Sequence, residues 1–204
     1  MKSFINKLFY GINMTWKKVI FLSIICAVFS ALFLVIPFTV GTSLSAPGTT
    51  FEFWIFITLI IVMNCKKPVE AGLKTFVFFL ISQPLIYLLQ VPFSHLGWQL
   101  FMFYPRWFVL TLLTFPGAII AWYVKKDKIY SALILSVATV ILVFNGSYYV
   151  PYVINKFPFY TLALVFCIGQ AFFLNFALLK NKRNRIICFI ITLAVLIFSL
   201  IRII

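Results

Sequence analysis

Polar side chains interrupt one apolar stretch of the chain, FVFFLISQPLIYLLQ at positions 76–90, and they are of types that bind solutes. Gln83, Tyr87 and Gln90 follow at i, i+4 and i+7, so a helix places all three on one face. Pro84 lies among them, and because proline lacks an N–H and clashes with the preceding turn, it predicts a kink there. Amide and phenol groups on such a face can hydrogen-bond a polar solute.

The next apolar segment is also interrupted by a proline. Thr114 and Pro116 lie about midway along it, and because this segment runs in the opposite direction, its proline is expected at the same depth as Pro84. Paired interruptions of this kind are typical of membrane helices that expose backbone groups to a solute. Gln170, in a later apolar segment, could complete a pocket. The candidate midplane pocket contains Gln83, Pro84, Tyr87, Gln90, Thr114, Pro116 and Gln170.

Packing between helices is the alternative explanation of the same side chains. Pro and Gly are common in membrane helices, and buried amides and hydroxyls often bond only to a neighbouring helix. The sequence leaves both interpretations open.

Carboxylates are the other groups that could do chemistry, and the chain has only three. Glu70 and Asp127 lie among lysines that neutralise them, whereas Glu52 begins an apolar segment. The loop that supplies His95 is expected at the same, outer end of the bundle. A carboxylate and an imidazole in one place can act as an acid/base pair. The candidate outer-face cluster contains Glu52, His95, Gln99 and Arg106.

A structural role for Glu52 is the alternative, because a carboxylate at a helix start is favoured by the helix dipole. The sequence also lacks GxSxG and HExxH motifs and has a single histidine, so it predicts no catalytic residue and no metal or cofactor site. An outer-face membrane enzyme is therefore only the third functional hypothesis.

The elements that must position these residues are membrane helices. Of the 204 residues, 64% are hydrophobic and 10% are charged, and a water-soluble domain of this size would expose many of the 26 Phe side chains. The net charge of +14 is distributed in short clusters between apolar runs, which does not fit a nucleic-acid surface. The four cysteines have no metal-ligand spacing and are predicted to be packing residues.

Hydropathy predicts an all-α polytopic bundle of about seven transmembrane helices in a single domain, residues 19–204. The second span has about fifteen residues, whereas a regular helix needs about twenty to cross. A re-entrant or partly interfacial segment is therefore the alternative there. The spans are predicted near residues 19–38, 51–65, 73–93, 107–124, 129–147, 157–179 and 186–204.

Residues 1–18 are predicted to form an amphipathic helix on the cytoplasmic surface, because Phe4 and Leu8 recur at helical spacing away from the lysines. A cleaved signal peptide is the alternative, since SLSA at 43–46 has small residues suited to cleavage. The apolar run of about twenty residues exceeds the usual signal-peptide core of about 7–15, which favours a retained first span.

The distribution of Lys and Arg predicts the orientation. With seven crossings and a cytoplasmic amino terminus, the carboxyl terminus is outside, and only Arg106, Lys156 and Arg202 fall on the outer side. Such an excess on one side is the positive-inside pattern of proteins in a plasma-type membrane. The other basic residues fall on the inner side: Lys2, Lys7, Lys17, Lys18, Lys66, Lys67, Lys74, Lys125, Lys126, Lys128, Lys180, Lys182, Arg183 and Arg185.

The leading hypothesis from the sequence is a membrane component that binds or passes a small solute, for example as the capture subunit of a larger importer. The alternative is a non-catalytic accessory subunit whose polar residues serve assembly. The expected partners are the lipid bilayer, a small-molecule ligand and other membrane proteins, with no nucleic acid.

Overall fold

The computed structural model describes residues 2–202, so Met1, Ile203 and Ile204 of the predicted segments lie outside the described residues. The described chain contains eight α-helices and no strand, which confirms the all-α fold class. The helices are α1 (Lys2–Tyr10), α2 (Trp16–Val35), α3 (Glu52–Met63), α4 (Pro68–Gln90), α5 (Tyr104–Trp122), α6 (Ile129–Asn155), α7 (Thr161–Leu178) and α8 (Lys182–Ile201).

Six of these helices are long and apolar enough to cross a membrane: α2, α4, α5 with the 3-10 turns on both sides of it, α6, α7 and α8. The remaining predicted span, the second one at 51–65, corresponds to α3, whose 12 residues reach only about 18 Å. The hydrocarbon core is about 30 Å thick. This protein is therefore a helical membrane protein in which one apolar helix is too short to span alone.

Local signals in the sequence account for several helix starts. Thr15 precedes α2, and its hydroxyl accepts a hydrogen bond from the amide of Lys18. Asn181 caps α8 by accepting from the amide of Arg183 at 2.9 Å. Pro68 occupies the first turn of α4, where its missing N–H leaves no helical bond unmade.

The chain forms two compact units: unit 1 is Met1–Val40 with Thr58–Trp122, and unit 2 is Gly41–Ile57 with Tyr123–Ile204. Residues 19–204, predicted as a single domain after the segment 1–18, are distributed over both.

In unit 1, α4 packs between α2 and α5. Gly72 allows α4 to approach α5 closely, because a Cβ at this position would lie 3.0 Å from the carbonyl oxygen of Phe115. Both α4 and α5 continue as α-helix through their internal prolines, Pro84 and Pro116.

The end of α3 lies at the same end of unit 1 as the start of α2. Asn64 donates to the carbonyl of Leu8 at 2.7 Å and accepts from the amide of Ile12 at 2.8 Å, which fixes α1 beside it. The indole of Trp122, at the end of α5, donates to the carbonyl of Cys65 at 3.1 Å. The chain therefore leaves α2 at one end of unit 1. By Asn64 it has returned to the end at which α2 begins.

In unit 2, α6 packs against both α7 and α8. The hydroxyls of Thr139 and Thr192 meet at 2.8 Å between α6 and α8. At the start of α6, the carboxylate of Asp127 accepts from the amides of Lys180 and Asn181, which ties the α5–α6 connection to the α7–α8 connection.

Candidate functional site

Glu52 is the most buried carboxylate in the described chain. It is the first residue of α3 and is 2% exposed. The backbone before it, from Ile36 to Phe51, is built of turns and one short 3-10 helix instead of regular helix. Turn hydrogen bonds satisfy many of its amides, such as those of Gly48, Thr49 and Thr50.

Three uncharged side chains of unit 2 hold the Glu52 carboxylate. Thr50 Oγ1 lies 2.7 Å from Oε1, and the Tyr149 phenol donates to the same oxygen at 3.0 Å. Asn145 Nδ2 lies 3.3 Å from Oε2. We call Thr50, Glu52, Asn145 and Tyr149 the Glu52 cluster.

Helices α6 and α7 form the walls around the Glu52 cluster. Tyr149, 2% exposed, packs with Ala46, Ala163 and Cys167. Its ring stacks on that of Tyr160, with centroids 5.7 Å apart. Tyr148 and Tyr152 continue the aromatic group toward the end of α6, where their hydroxyls meet at 3.0 Å.

No cation among the described side chains balances the charge that an ionised Glu52 would carry. Within residues 2–202 its side-chain partners are Thr50, Asn145 and Tyr149 alone, and the salt bridge of Lys74 goes to Glu70. An unpaired charge in a low-dielectric interior is costly, so buried carboxylates in membrane proteins mark functional sites by default.

Asn145 lies well inside α6 and not at its end. It precedes the end of α6 at Asn155 by about 15 Å at about 1.5 Å per residue.

The predicted outer-face cluster is distributed over both units. His95, Gln99 and Arg106 lie in unit 1, where all three side chains are exposed between α4 and the start of α5. Glu52 belongs to unit 2, and its hydrogen bonds go to residues of unit 2. An acid/base pair of Glu52 and His95 stays a prediction.

Six members of the predicted midplane pocket lie in unit 1, on α4 and α5. Gln83 is 4% exposed. Tyr87 is half-buried against the rings of Phe101 and Tyr104. Gln90 bonds to the carbonyl of Ile86 on its own helix.

On α5, the hydroxyl of Thr114 donates to the carbonyl of Thr111 at 2.6 Å, and Pro116 is exposed. The bonds of Gln90 and Thr114 are therefore local to their helices. Pro84 is half-buried in the interior of α4. A solute pocket at these residues stays a prediction.

Gln170, the seventh member, lies on α7 in unit 2. It is 4% exposed, and neither polar atom of its amide has a hydrogen-bond partner among the described residues. A separate cavity of about 420 Å³ opens between α6, α7 and α8. Its lining is apolar except for one hydroxyl: Ser147, Val150, Leu164, Val165, Ile168, Gly169, Leu196 and Leu200.

Within residues 2–202, no group of three His, Cys, Asp or Glu side chains could hold a metal ion. Among the described residues the four cysteines form no disulfide, and all four are buried.

The sequence interpretation missed the partners of Glu52. Asn145 and Tyr149 follow at i and i+4 on α6, so they share a face, and that spacing was a signal that could have been used. Thr50 gave no signal, because its role depends on the irregular backbone before α3. Comparison of the chain with protein-family models, curated proteins and solved structures gave no match.

Proposed function

We propose that this chain is a plasma-membrane protein that binds or passes a small solute, alone or as the capture subunit of a larger importer, with the Glu52 cluster as its polar site. One observation carries the proposal: Glu52 is buried in unit 2, and its side-chain partners in the part of the chain that the structure describes are all uncharged. Stability alone does not favour a buried carboxyl group with neutral partners, because such a group must either carry an uncompensated charge or be kept protonated.

The broken backbone before α3 supports the same proposal. Many transporters bind solutes and ions where a helix is interrupted and its amino-terminal end is buried at membrane depth. Irregular backbone is tolerated there only when it is buried in protein or lines an aqueous cavity. Here Ser43 ties this segment to the start of α7, since its hydroxyl donates to Phe159 and accepts from the amide of Ala163.

The orientation that we propose puts the amino terminus in the cytoplasm and the carboxyl terminus outside. The contacts of Asn64 and Cys65 in unit 1 support it, because they bring Lys66 and Lys67 to the end where α1 and Trp122 lie. The chain must then return between Val35 and Asn64, which α3 and the turns before it accomplish together. Fourteen of the 17 basic residues then fall on the cytoplasmic side.

An accessory subunit is the second candidate, and the buried hydroxyls favour it. Ser23, Ser136 and Ser147 each donate to a carbonyl four residues earlier on their own helix. Thr139 and Thr192 bond to each other. These hydroxyls already bond within or between helices, so few of their hydrogen-bonding positions remain for a solute.

Mass spectrometry of the protein purified in mild detergent tests the proposal. We expect a small molecule to co-purify with the wild type and to fall at least about tenfold in Glu52→Ala, which corresponds to about 1.4 kcal/mol of binding free energy. Glu70→Gln is the control, because Glu70 bonds only to Lys74 and to the amides of Lys66 and Lys67. A stoichiometric protein partner without any retained small molecule would contradict solute binding and favour the accessory role.

A further inference from the structure

The oxygen atoms around Glu52 form more short contacts than the hydrogens of the neighbouring hydroxyls can bridge. Thr50 Oγ1 lies 2.7 Å from the carbonyl oxygen of Ala46 and 2.7 Å from Glu52 Oε1. The Tyr149 oxygen lies 3.0 Å from the same carboxylate oxygen and 3.1 Å from Thr50 Oγ1. An O–H···O bond spans about 2.5–3.0 Å, so each of the three shorter pairs needs a hydrogen between its members, whereas the Tyr149–Thr50 pair at 3.1 Å lies beyond that range.

The hydroxyls of Thr50 and Tyr149 supply two hydrogens, whereas the three shortest contacts need three. If Glu52 is ionised, the Thr50 hydrogen can point to Ala46 or to Glu52. The other of these two contacts is then a pair of oxygens 2.7 Å apart with no hydrogen between them. Two acceptors at that separation repel each other.

A proton on Glu52 Oε1 satisfies all three contacts. The carboxyl then donates to Thr50 Oγ1, Thr50 donates to the carbonyl of Ala46, and Tyr149 donates to Oε1. Asn145 Nδ2 remains directed at Oε2, now the carbonyl oxygen of the acid, at 3.3 Å. Protonation also removes the uncompensated charge from the interior of unit 2.

We propose that Glu52 carries an exchangeable proton and that the Glu52 cluster is a proton-binding site. The titratable groups that face it are Tyr149 from α6 and Cys167 from α7, with Tyr160 stacked on Tyr149. Within residues 2–202 no Lys, Arg or His pairs with it. Coupling of this proton to a solute rests on the proposed function, whereas the proton-binding site itself does not.

Thr50 provides the route for exchange. It is only partly buried, and its neighbour Thr49 is exposed. When its O–H turns from the Ala46 carbonyl to a water molecule, the Thr50 hydroxyl can accept the carboxyl proton and release its own to that water, which leaves Glu52 as the carboxylate. Thr50 therefore connects Oε1 to the surface of unit 2.

Infrared spectroscopy of the full chain in lipid nanodiscs tests the site, because the chain has only three acidic side chains. At neutral pH we expect the C=O stretching band of a protonated carboxylic acid, a shift of that band in D₂O, and its loss at high pH. The band should vanish in Glu52→Gln and persist in the control Glu70→Gln. Glutamine is the matched substitution, since its amide keeps a carbonyl and a donor where the protonated acid has them.

A second variant keeps the test decisive if Glu52→Gln does not fold. Tyr149→Phe removes one donor to the acid, so its band should persist at a changed frequency. The proposal is overturned if the wild type shows no protonated-acid band at neutral pH, if the band is unmoved by D₂O, or if it survives in a folded Glu52→Gln. None of these outcomes involves a solute, so failure of the proton site is distinct from failure of solute binding.

Discussion

The phenol of Tyr149 donates a hydrogen bond to Glu52 Oε1 at 3.0 Å, and it joins α6 to the start of α3 across 97 residues of sequence. Both side chains are 2% exposed, so neither has ready access to water as an alternative partner. The bond therefore stabilises the packing of unit 2, and it also holds the carboxyl group of the candidate site in place.

Tyr149→Phe tests that contribution, because it removes the hydroxyl and keeps the ring that stacks on Tyr160. We expect the free energy of unfolding to fall by about 1 kcal/mol, the usual net value of one buried hydrogen bond. Unfolding in lipid nanodiscs, followed by circular dichroism, measures it. Tyr148→Phe is the control, since Tyr148 is 62% exposed and its hydroxyl bonds to Tyr152. Equal losses in the two variants would contradict a special role for the bond to Glu52.

The sequence predicted the helices well because each membrane helix satisfies its own backbone hydrogen bonds, so local hydropathy is enough to locate it. The short predicted span at 51–65 became α3, which is shorter still. The turns from Ile36 to Phe51 precede it, and hydropathy carries no information on how such turns fold.

The site was less predictable, because its parts come together only in three dimensions. Glu52 was selected for its charge, yet its placement at the outer edge suggested His95 as its partner. Its hydrogen bonds within unit 2 reach Asn145 and Tyr149, 93 and 97 residues along the chain, and the sequence did not indicate these partners. No periodicity links residues so far apart, and the neutral partners lack the charge that drew attention to the other candidates.

Asn64 is expected to hold α1 in place. It donates to the carbonyl of Leu8 and accepts from the amide of Ile12, and both bonds would be lost in Asn64→Ala. Since each unsatisfied group costs about 1–3 kcal/mol, we expect amide hydrogen exchange across residues 2–12 to accelerate by about tenfold or more. Mass spectrometry of exchanged peptides measures this. Asn6→Ala, at an exposed position of α1, should leave exchange unchanged, and a similar acceleration there would sink the idea.

Asp127 is expected to stabilise unit 2 by two separable effects. Its carboxylate accepts from the amides of Lys180 and Asn181 at 3.1 and 2.6 Å. Its backbone is left-handed, with φ 48°, a conformation that costs most residues about 1–2 kcal/mol but suits Asp, Asn and Gly.

Thermal unfolding of three variants at Asp127 separates these effects. Asn keeps one acceptor oxygen and can adopt the left-handed backbone conformation. Gly can adopt that conformation but has no acceptor, and Ala has neither property. We expect stability to decrease in the order Asp, Asn, Gly, Ala, with Gly above Ala by about 1 kcal/mol. If Gly were no more stable than Ala, the left-handed backbone would not be under steric constraint.

Gly72 is expected to set the distance between α4 and α5. A Cβ added there would lie 2.8 Å from Ile119 Cγ1 and 3.0 Å from the carbonyl oxygen of Phe115. The isoleucine side chain can rotate away, but the carbonyl is fixed in a helix, so the two helices must separate. Gly72→Ala should therefore reduce the free energy of unfolding by about 1–3 kcal/mol, as overpacking does elsewhere.

Gly117→Ala is the matched control for Gly72→Ala, because it lies on α5 of the same unit and an added Cβ meets no atom within 4 Å. The helix propensity of alanine also exceeds that of glycine by about 1 kcal/mol. The Gly117→Ala variant should therefore be as stable as the wild type or slightly more stable. Unfolding of both variants in the same nanodiscs gives the comparison. Equal stability of the two would show that α4 and α5 can separate at little cost, and that contact with the Phe115 carbonyl does not fix their packing.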